Sequence, residues 1–122
     1  MVQPDGRERP VRGGAMDIAK IRHVMIDERK VEKAAGLLKA LGHPARLRIV
    51  AHLCCHGERS VGDLGRELDL PQAALSQQLG ILRMNGLVSV RRAQGFRFYS
   101  LAVPQTTQLL HCISTCALVT GA

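Results

Sequence analysis

Four cysteines in two short segments are the residues of this chain whose types and spacing could support chemistry. Cys54 and Cys55 are adjacent in the stretch LCCHGERS, and Cys112 and Cys116 stand four residues apart near the end of the 122-residue sequence. Thiolates bind soft metals and metalloids, and they are oxidised or bridged by reactive sulfur and oxygen species. Cysteine is also a small apolar side chain, so a purely structural role stays open for each of the four.

Helical spacing ranks the ways in which these thiols could come together. Cys112 and Cys116 are i, i+4 neighbours, whose Cβ atoms would stand about 5–6 Å apart, whereas a disulfide needs about 3.5–4.5 Å. Cys54 and Cys55 point in different directions on a helix, so a vicinal disulfide would distort its end. A bridge between two helices avoids both problems. A three-thiolate site for a soft ion such as trivalent arsenic is the alternative, and neighbouring histidines lack a standard zinc spacing.

The charge distribution indicates a polyanion as partner. The formal net charge is +7, and all ten acidic residues lie at or before Asp69. After that position Arg83, Arg91, Arg92 and Arg97 fall within fifteen residues. A solvated basic face is the alternative, but confinement of the charge to one region favours nucleic acid.

Caps and periodicity predict the elements that must position these residues. The expected order is helix, helix, short helix, helix, hairpin, helix, with starts at residues 28, 44, 60, 71, 87 and 104. Residues 16–27 are expected to add a turn or two to the first helix. Leu47, Val50, Ala51 and Cys54 form the predicted apolar stripe of the second. The order predicts a mainly α fold with a small β-hairpin, a winged helix-turn-helix.

The helix from Pro71 is the predicted DNA-reading element. Leu75, Leu79 and Leu82 share one face and should be buried. The rest of its surface is polar, uncharged and short-stemmed, which suits contact with base edges. The side chains expected to read bases are Gln72, Ala73, Ser76, Gln77 and Gln78. Those expected to contact phosphates or the minor groove are Arg83, Arg91, Arg92, Gln94 and Arg97, and Tyr99 could reach a phosphate.

The ends of the chain and its composition limit the class of protein. Residues 1–15 read as a flexible tail and residues 16–122 as one domain, with Met16 a possible alternative start. There is neither an apolar run near the roughly 18 residues of a membrane span nor a signal core, so we expect a cytoplasmic protein with reduced cysteines and no membrane partner. No nucleophile–base pair or phosphate-binding glycine loop is present, which argues against an enzyme.

The stretches LKALGHPARLRIVAHL, LSQQLGILRMNGLVSVRR and FYSL resemble the ArsR/SmtB family of bacterial winged-helix repressors, over roughly residues 30–118. The resemblance implies a homodimer formed by the first and last helices. It also implies binding to a palindromic operator in double-stranded DNA and release when an inducer is sensed. The family's arsenic-type cysteine pair would fall near residues 60–65, where no cysteine stands, and its acidic zinc pattern is missing from the last helix.

GERSVGDL followed by LSQQLGILR resembles the sulfide- and persulfide-responsive subgroup, the biofilm-growth-associated repressor type. That subgroup links one cysteine of the second helix to one near the end of the last helix, which lowers DNA affinity. The resemblance implies sensing by Cys54 or Cys55 with Cys112 or Cys116, and we expect Cys54 to pair with Cys116. No cofactor is required. The alternatives are arsenite-type or zinc-type sensing by the same thiolates and a DNA-binding module with structural cysteines.

Overall fold

A computed structural model describes residues 17–121, so the predicted tail of residues 1–15 lies outside the described part. Ten elements follow one another along the chain: α1 (Ile18–Met25), α2 (Glu28–Leu41), α3 (Pro44–His56), β1 (Arg59–Ser60), α4 (Val61–Leu68), α5 (Gln72–Met84), β2 (Val88–Ala93), β3 (Phe96–Leu101), α6 (Thr106–Thr115) and α7 (Ala117–Thr120). The mainly helical class with a hairpin is confirmed. Within residues 17–121, no helix has the length and apolarity to span a membrane.

Among the described residues, those from Asp17 to Gly36 belong to one compact unit and those from Leu37 to Gly121 to another. In the first unit, residues 18–25 form a helix of their own instead of lengthening α2. The reason is a pair of aspartate caps. Asp17 Oδ1 accepts from the backbone N–H of Ala19 at 2.9 Å, and Asp27 Oδ1 accepts from that of Arg29 at 3.0 Å. The second cap starts a new helix at Glu28.

Local capping explains the helix starts in the second unit. His43 Nδ1 accepts from the N–H of Ala45 at 3.1 Å, and Pro44 occupies the first helical position of α3. Ser60 Oγ accepts from the N–H of Asp63 at 3.1 Å and caps α4. Each cap satisfies a donor that has no partner within its own helix. The predicted starts near residues 44 and 60 are therefore confirmed.

The core of the second unit is aliphatic, and α3 meets it on a different face from the predicted one. Ile49, Val50 and Leu53 are at most 2% exposed. Most of the predicted stripe is only half-buried, at Leu47, Ala51 and Cys54. The stripe prediction was wrong because α3 packs against four elements, α4, α5, β3 and α6, and periodicity alone does not show which of its residues face them.

The predicted hairpin is present as β2 and β3, and the short strand β1 extends it to a three-stranded antiparallel sheet in the order β1-β3-β2. The short strand β1 pairs Arg59 with Tyr99 of β3. The turn between β2 and β3 has two residues, Gln94 at φ 52° and Gly95 at φ 80°. A turn with both residues at positive φ matches the twist of the flanking strands, and Gly95 adopts this conformation without strain.

The last predicted helix is interrupted at Cys116. Thr115 Oγ1 lies 3.2 Å from the carbonyls of both His111 and Cys112. The carbonyl of Cys112 is the acceptor that the N–H of Cys116 would use in a continuing helix. That N–H instead bonds the carbonyl of Ile113, and Cys116 is extended at φ −73° and ψ 127°. Side-chain hydroxyls compete with helical hydrogen bonds in this way. Treating Cys112 and Cys116 as helical neighbours was therefore wrong.

Candidate nucleic-acid interface

The exposed face of α5 carries short polar and small side chains. The three leucines of the helix, at positions 75, 79 and 82, are at most 1% exposed and hold its other face against the core, as predicted. Gln72, Ala73, Ser76 and Gln77 are exposed, and Gly80 lies beside them. No long charged side chain stands among them, so this surface can approach base edges closely. The structure brings four of the five expected base readers onto one face.

Gln78 lies apart from the other four. It is half-buried, and its Oε1 accepts a hydrogen bond of 2.9 Å from Nη1 of Arg46, in the first turn of α3. At 3.6 residues per turn, Gln78 lies about 160° around the helix from both Ser76 and Gly80. Gln78 was expected to read bases, but it lies away from the face that carries the other four residues.

Basic residues flank this face. Arg83 is exposed in the last turn of α5, on the side of Ser76 and Gly80. Arg92 and Arg97 are exposed and are direct Cα partners on β2 and β3, next to the turn. Across residues 17–121, no carboxylate pairs with either of these two guanidinium groups. Like charges directly opposite on a hairpin repel, and a bound polyanion would relieve that repulsion.

Arg91 is the arginine of the hairpin with a partner. Its Nη2 and Nε donate to the two carboxylate oxygens of Glu58, at 2.7 and 3.3 Å. Its guanidinium carbon also lies 4.8 Å from the ring centroid of Phe98. The hydrogen bond from Arg91 holds the pKa of Glu58 below its usual value. The sequence placed no acid near this arginine, but the fold brings Glu58 to it.

The hairpin tip exposes Gln94, as expected of a DNA-contacting tip, and it also exposes Phe96. Phe96 is 61% exposed and meets the ring of Phe98 edge-on, at 6.5 Å between centroids. Tyr99 is only 6% exposed and belongs to the core. The idea that Tyr99 reaches a phosphate is therefore wrong, because alternation along β3 directs it inward.

An open cleft of about 860 Å³ lies between α4, α5 and the hairpin. Its walls include Arg66 of α4, Gln72 and Ser76 of α5, and Phe96 and Arg97 of β3. Side chains expected to read bases and to contact phosphates thus border one recess, which Asp69 also lines.

His52 of α3 and Arg59 of β1 both contact α4. Arg59 Nε lies 3.0 Å from Oε1 of Glu67, and Nε2 of His52 lies 3.4 Å from the same oxygen. Desolvation acts to raise the pKa of Glu67, but Arg59 and His52 together hold it below its usual value. The imidazole of His52 therefore lies against the carboxylate that Arg59 pairs with.

The cysteines of α3 differ in their surroundings. Cys54 is half-buried, and its Sγ donates to Oγ1 of Thr107, in the first turn of α6, at 3.3 Å. Cys55 is exposed. The thiol of Cys54 therefore lies at the contact between α3 and α6.

The cysteines near the end of the chain lie further along that segment. Cys112 is exposed on α6, and Cys116 is half-buried at the break before α7. All four cysteines are free thiols. Over residues 17–121, no three His, Cys, Asp or Glu side chains are grouped as a metal site requires. A three-thiolate site is thus not assembled within the described chain.

Sequence reasoning did not single out Arg46, Glu58 or Thr107. Arg46 and Thr107 stood among ordinary helix residues, and their contacts cross 32 and 53 residues of chain. Glu58 offered one signal, because it is an acid in the tight GERS turn directly after the cysteine pair. Its partner on the hairpin depended on the tertiary fold.

Comparison with known proteins agrees with this geometry. Residues 43–90 match the family described as bacterial regulatory protein, arsR family. The chain is 43% identical over 98 residues to the biofilm growth-associated repressor of Agrobacterium fabrum, across 80% of this chain and 82% of that protein.

Solved structures with the same fold extend the comparison. The transcriptional repressor BigR from Xylella fastidiosa superposes with a TM-score of 0.68 at 38% identity, covering 84% of this chain and 99% of that one. Reduced HlyU from Vibrio cholerae superposes with a TM-score of 0.65 at 38% identity, covering 70% and 90%. With the winged helix-turn-helix and its exposed α5 face, these matches identify a DNA-binding transcriptional regulator, and the chain belongs to the ArsR family of bacterial regulatory proteins.

Proposed function

We propose that this chain is a homodimeric repressor that binds a palindromic operator and leaves it when cysteine thiols are oxidised or bridged by reactive sulfur species. The observation that carries the switch is the contact between Cys54 and Thr107, because it places a thiol of α3 against α6. A change of charge, size or bonding at that sulfur acts directly on the packing of the two helices.

The DNA contacts follow from the exposed surfaces. Gln72, Ala73, Ser76 and Gln77 read bases, while Arg83, Arg92, Gln94 and Arg97 hold phosphates or enter the minor groove. In a two-fold dimer, the two α5 helices enter successive major grooves about 34–36 Å apart.

Exposed apolar side chains support self-association. Leu37 and Leu38, near the end of α2, are 36% and 57% exposed, and Leu118 and Val119 of α7 are 96% and 63% exposed. Large apolar side chains grouped on the last helical segment are typical of a surface that a protein partner covers. A second copy of the chain supplies the same surface, as a two-fold interface requires.

The exposure of the cysteines favours sensing over a packing role. None of the four is buried: Cys55 and Cys112 are exposed, and Cys54 and Cys116 are half-buried. Oxidation of two thiols to a disulfide releases two protons and two electrons, and the sulfane sulfur of a persulfide accepts both electrons and leaves with the protons as hydrogen sulfide. The link forms without a metal or a further cofactor.

The pairing of Cys54 with Cys116 requires movement within the chain. Cys54 lies beside Thr107, and Cys116 follows the end of α6, about 13 Å further along the helix axis at 1.5 Å per residue. Cys112 is nearer along the axis, but it lies about 140° around the helix from Thr107. We propose that the break at Cys116 is where the last segment bends when the bridge forms.

Two measurements on the treated protein test this function: its release from operator DNA, and mass spectrometry of its cysteines. The operator is first recovered by selection from random duplexes, and the protein is treated with persulfide, peroxide or arsenite. We expect persulfide to release DNA and to join one cysteine of α3 to one of the last segment, with recovery on reduction. Non-reducing electrophoresis separates a bridge within one chain from a bridge between two.

Four single variants identify the thiols that are required for release of DNA. They are Cys54→Ser, Cys55→Ser, Cys112→Ser and Cys116→Ser. We expect Cys54→Ser and Cys116→Ser to keep DNA bound under persulfide, and Cys55→Ser to behave like the parent protein. Release in all four variants would refute the thiol switch while leaving DNA binding intact.

A further inference from the structure

Arg46 joins three elements of the second unit. It stands in the first turn of α3, and its Nε donates to the carbonyl of Ala40 at 2.6 Å. Its Nη2 lies 3.4 Å from the carbonyl of Lys39. Both carbonyls belong to the last turn of α2. That of Lys39 also accepts from the N–H of Gly42 at 3.2 Å, whereas that of Ala40 has no N–H donor within its own helix. The remaining arm of the guanidinium reaches Gln78 of α5 at 2.9 Å.

Gln78 cannot contact Arg46 and also reach the DNA groove that Ser76 faces. A side chain about 160° around the helix from Ser76 and Gly80 points away from the surface that those residues present. Because a hydrogen bond to a charged donor is among the stronger ones, the contact with Arg46 fixes the Gln78 carboxamide against the protein.

We propose that Gln78 is a positioning residue and that Arg46 is its anchor. Together they set the rotation of α5 about its own axis relative to the ends of α2 and α3. This inference rests on DNA binding by α5, and it assigns Gln78 no contact with a base. Rotation of α5 changes every base contact of the helix at once, so loss of the clamp weakens binding to all sequences rather than altering the preference at one base pair.

Base preference and affinity, measured together, test the assignment. Binding sequences are selected from a random duplex pool with the parent chain, and affinities are then measured for every single-base change in the selected site. We expect Gln78→Ala and Arg46→Lys each to weaken binding about tenfold, the worth of one such hydrogen bond, with the order of base preferences unchanged. The double variant should be no weaker than the weaker single variant, because both remove the same clamp.

Gln77 supplies the matched control, since it is exposed on the same helix. We expect Gln77→Ala to change the preference at one base pair. Gln78→Glu keeps an acceptor for Arg46 and should bind nearly as well as the parent chain, whereas Gln77→Glu places the same new charge towards DNA and should bind worse. Thermal unfolding of each variant shows that the compared proteins are folded.

Three results would overturn the assignment: a changed preference at one base pair in Gln78→Ala, independent effects of the two single variants, or no recovery with Gln78→Glu. The Gln78 variants alone decide the matter if Arg46→Lys does not fold. Failure of the parent chain to select any sequence would instead refute DNA binding itself.

Discussion

Arg91 and Glu58 form a two-point ion pair that joins the turn after α3 to strand β2, with N–O distances of 2.7 and 3.3 Å. The pair separates Arg91 from Arg92 and Arg97, which have no carboxylate partner among the described residues. The positive charge of Arg91 is therefore neutralised by Glu58, whereas the charges of Arg92 and Arg97 are available to a ligand.

The salt dependence of DNA binding should reveal this difference. Each phosphate contact contributes about 0.9 to the slope of log affinity against log salt concentration. We expect Arg92→Gln and Arg97→Gln each to lower the slope by roughly that amount, and Arg91→Gln to leave it nearly unchanged. Titrations of a fluorescent duplex at several salt concentrations measure all three. Equal loss of slope in all three variants would contradict the neutralised role of Arg91.

The same ion pair predicts a pH dependence of stability. The pKa of Glu58 is lowered from about 4.5 by the hydrogen bond from Arg91. The pair therefore stabilises the folded chain above that usual value, and the contribution is lost as the pH falls through the lowered pKa. We expect Glu58→Gln to have a lower Tm than the parent chain at neutral pH and the two Tm values to converge in acid. Arg91→Gln should converge in the same way, and a difference that persists in acid would contradict the ion-pair origin.

Gly57 ends α3 and forms the turn that places Glu58 beside Arg91. Its φ of 77° and ψ of −162° lie in a region that is essentially restricted to glycine. No heavy atom would obstruct an added Cβ within 4 Å, so the effect of substitution arises from the backbone alone. We expect Gly57→Ala to lower the free energy of unfolding by about 1–3 kcal/mol. Gly36, which lies in α2, is the control, because Gly36→Ala should be neutral or stabilising in urea unfolding.

The order of thiol modification should follow exposure. Cys55 and Cys112 are exposed, while Cys54 and Cys116 are half-buried and Cys54 is hydrogen-bonded to Thr107. We expect iodoacetamide to modify the first pair before the second in the reduced protein, as followed by peptide mass spectrometry. Thr107→Val removes the acceptor and should speed modification of Cys54 relative to Cys55. Modification of Cys54 ahead of both exposed thiols would argue against the described packing.

Features determined by neighbouring residues could be predicted from the sequence. The caps at Ser60 and before Pro44, and the leucine spacing on α5, act within one or two helical turns. The break at Cys116 is also local, but it depends on which carbonyl the Thr115 hydroxyl selects, and apolar spacing contains no information about that choice.

The roles of Gln78 and Arg91 could not be predicted in the same way. Each looked like a DNA-contacting residue by type and position in the sequence, and each is held by a partner that lies more than thirty residues away. The sequence predicted which elements should face DNA, but the tertiary contacts determine which of their polar groups are already held by another side chain.

The side chains of two consecutive residues just after α3 contact different elements. Glu58 holds the hairpin through Arg91, and Arg59 holds α4 through Glu67. Only one peptide unit, about 3.8 Å between Cα atoms, separates them. Two adjacent residues just after the helix that carries Cys54 and Cys55 thus hold the hairpin and α4, in addition to the direct packing of α3 against α4, α5 and β3. A displacement of this dipeptide is therefore passed to the hairpin and to α4 at the same time.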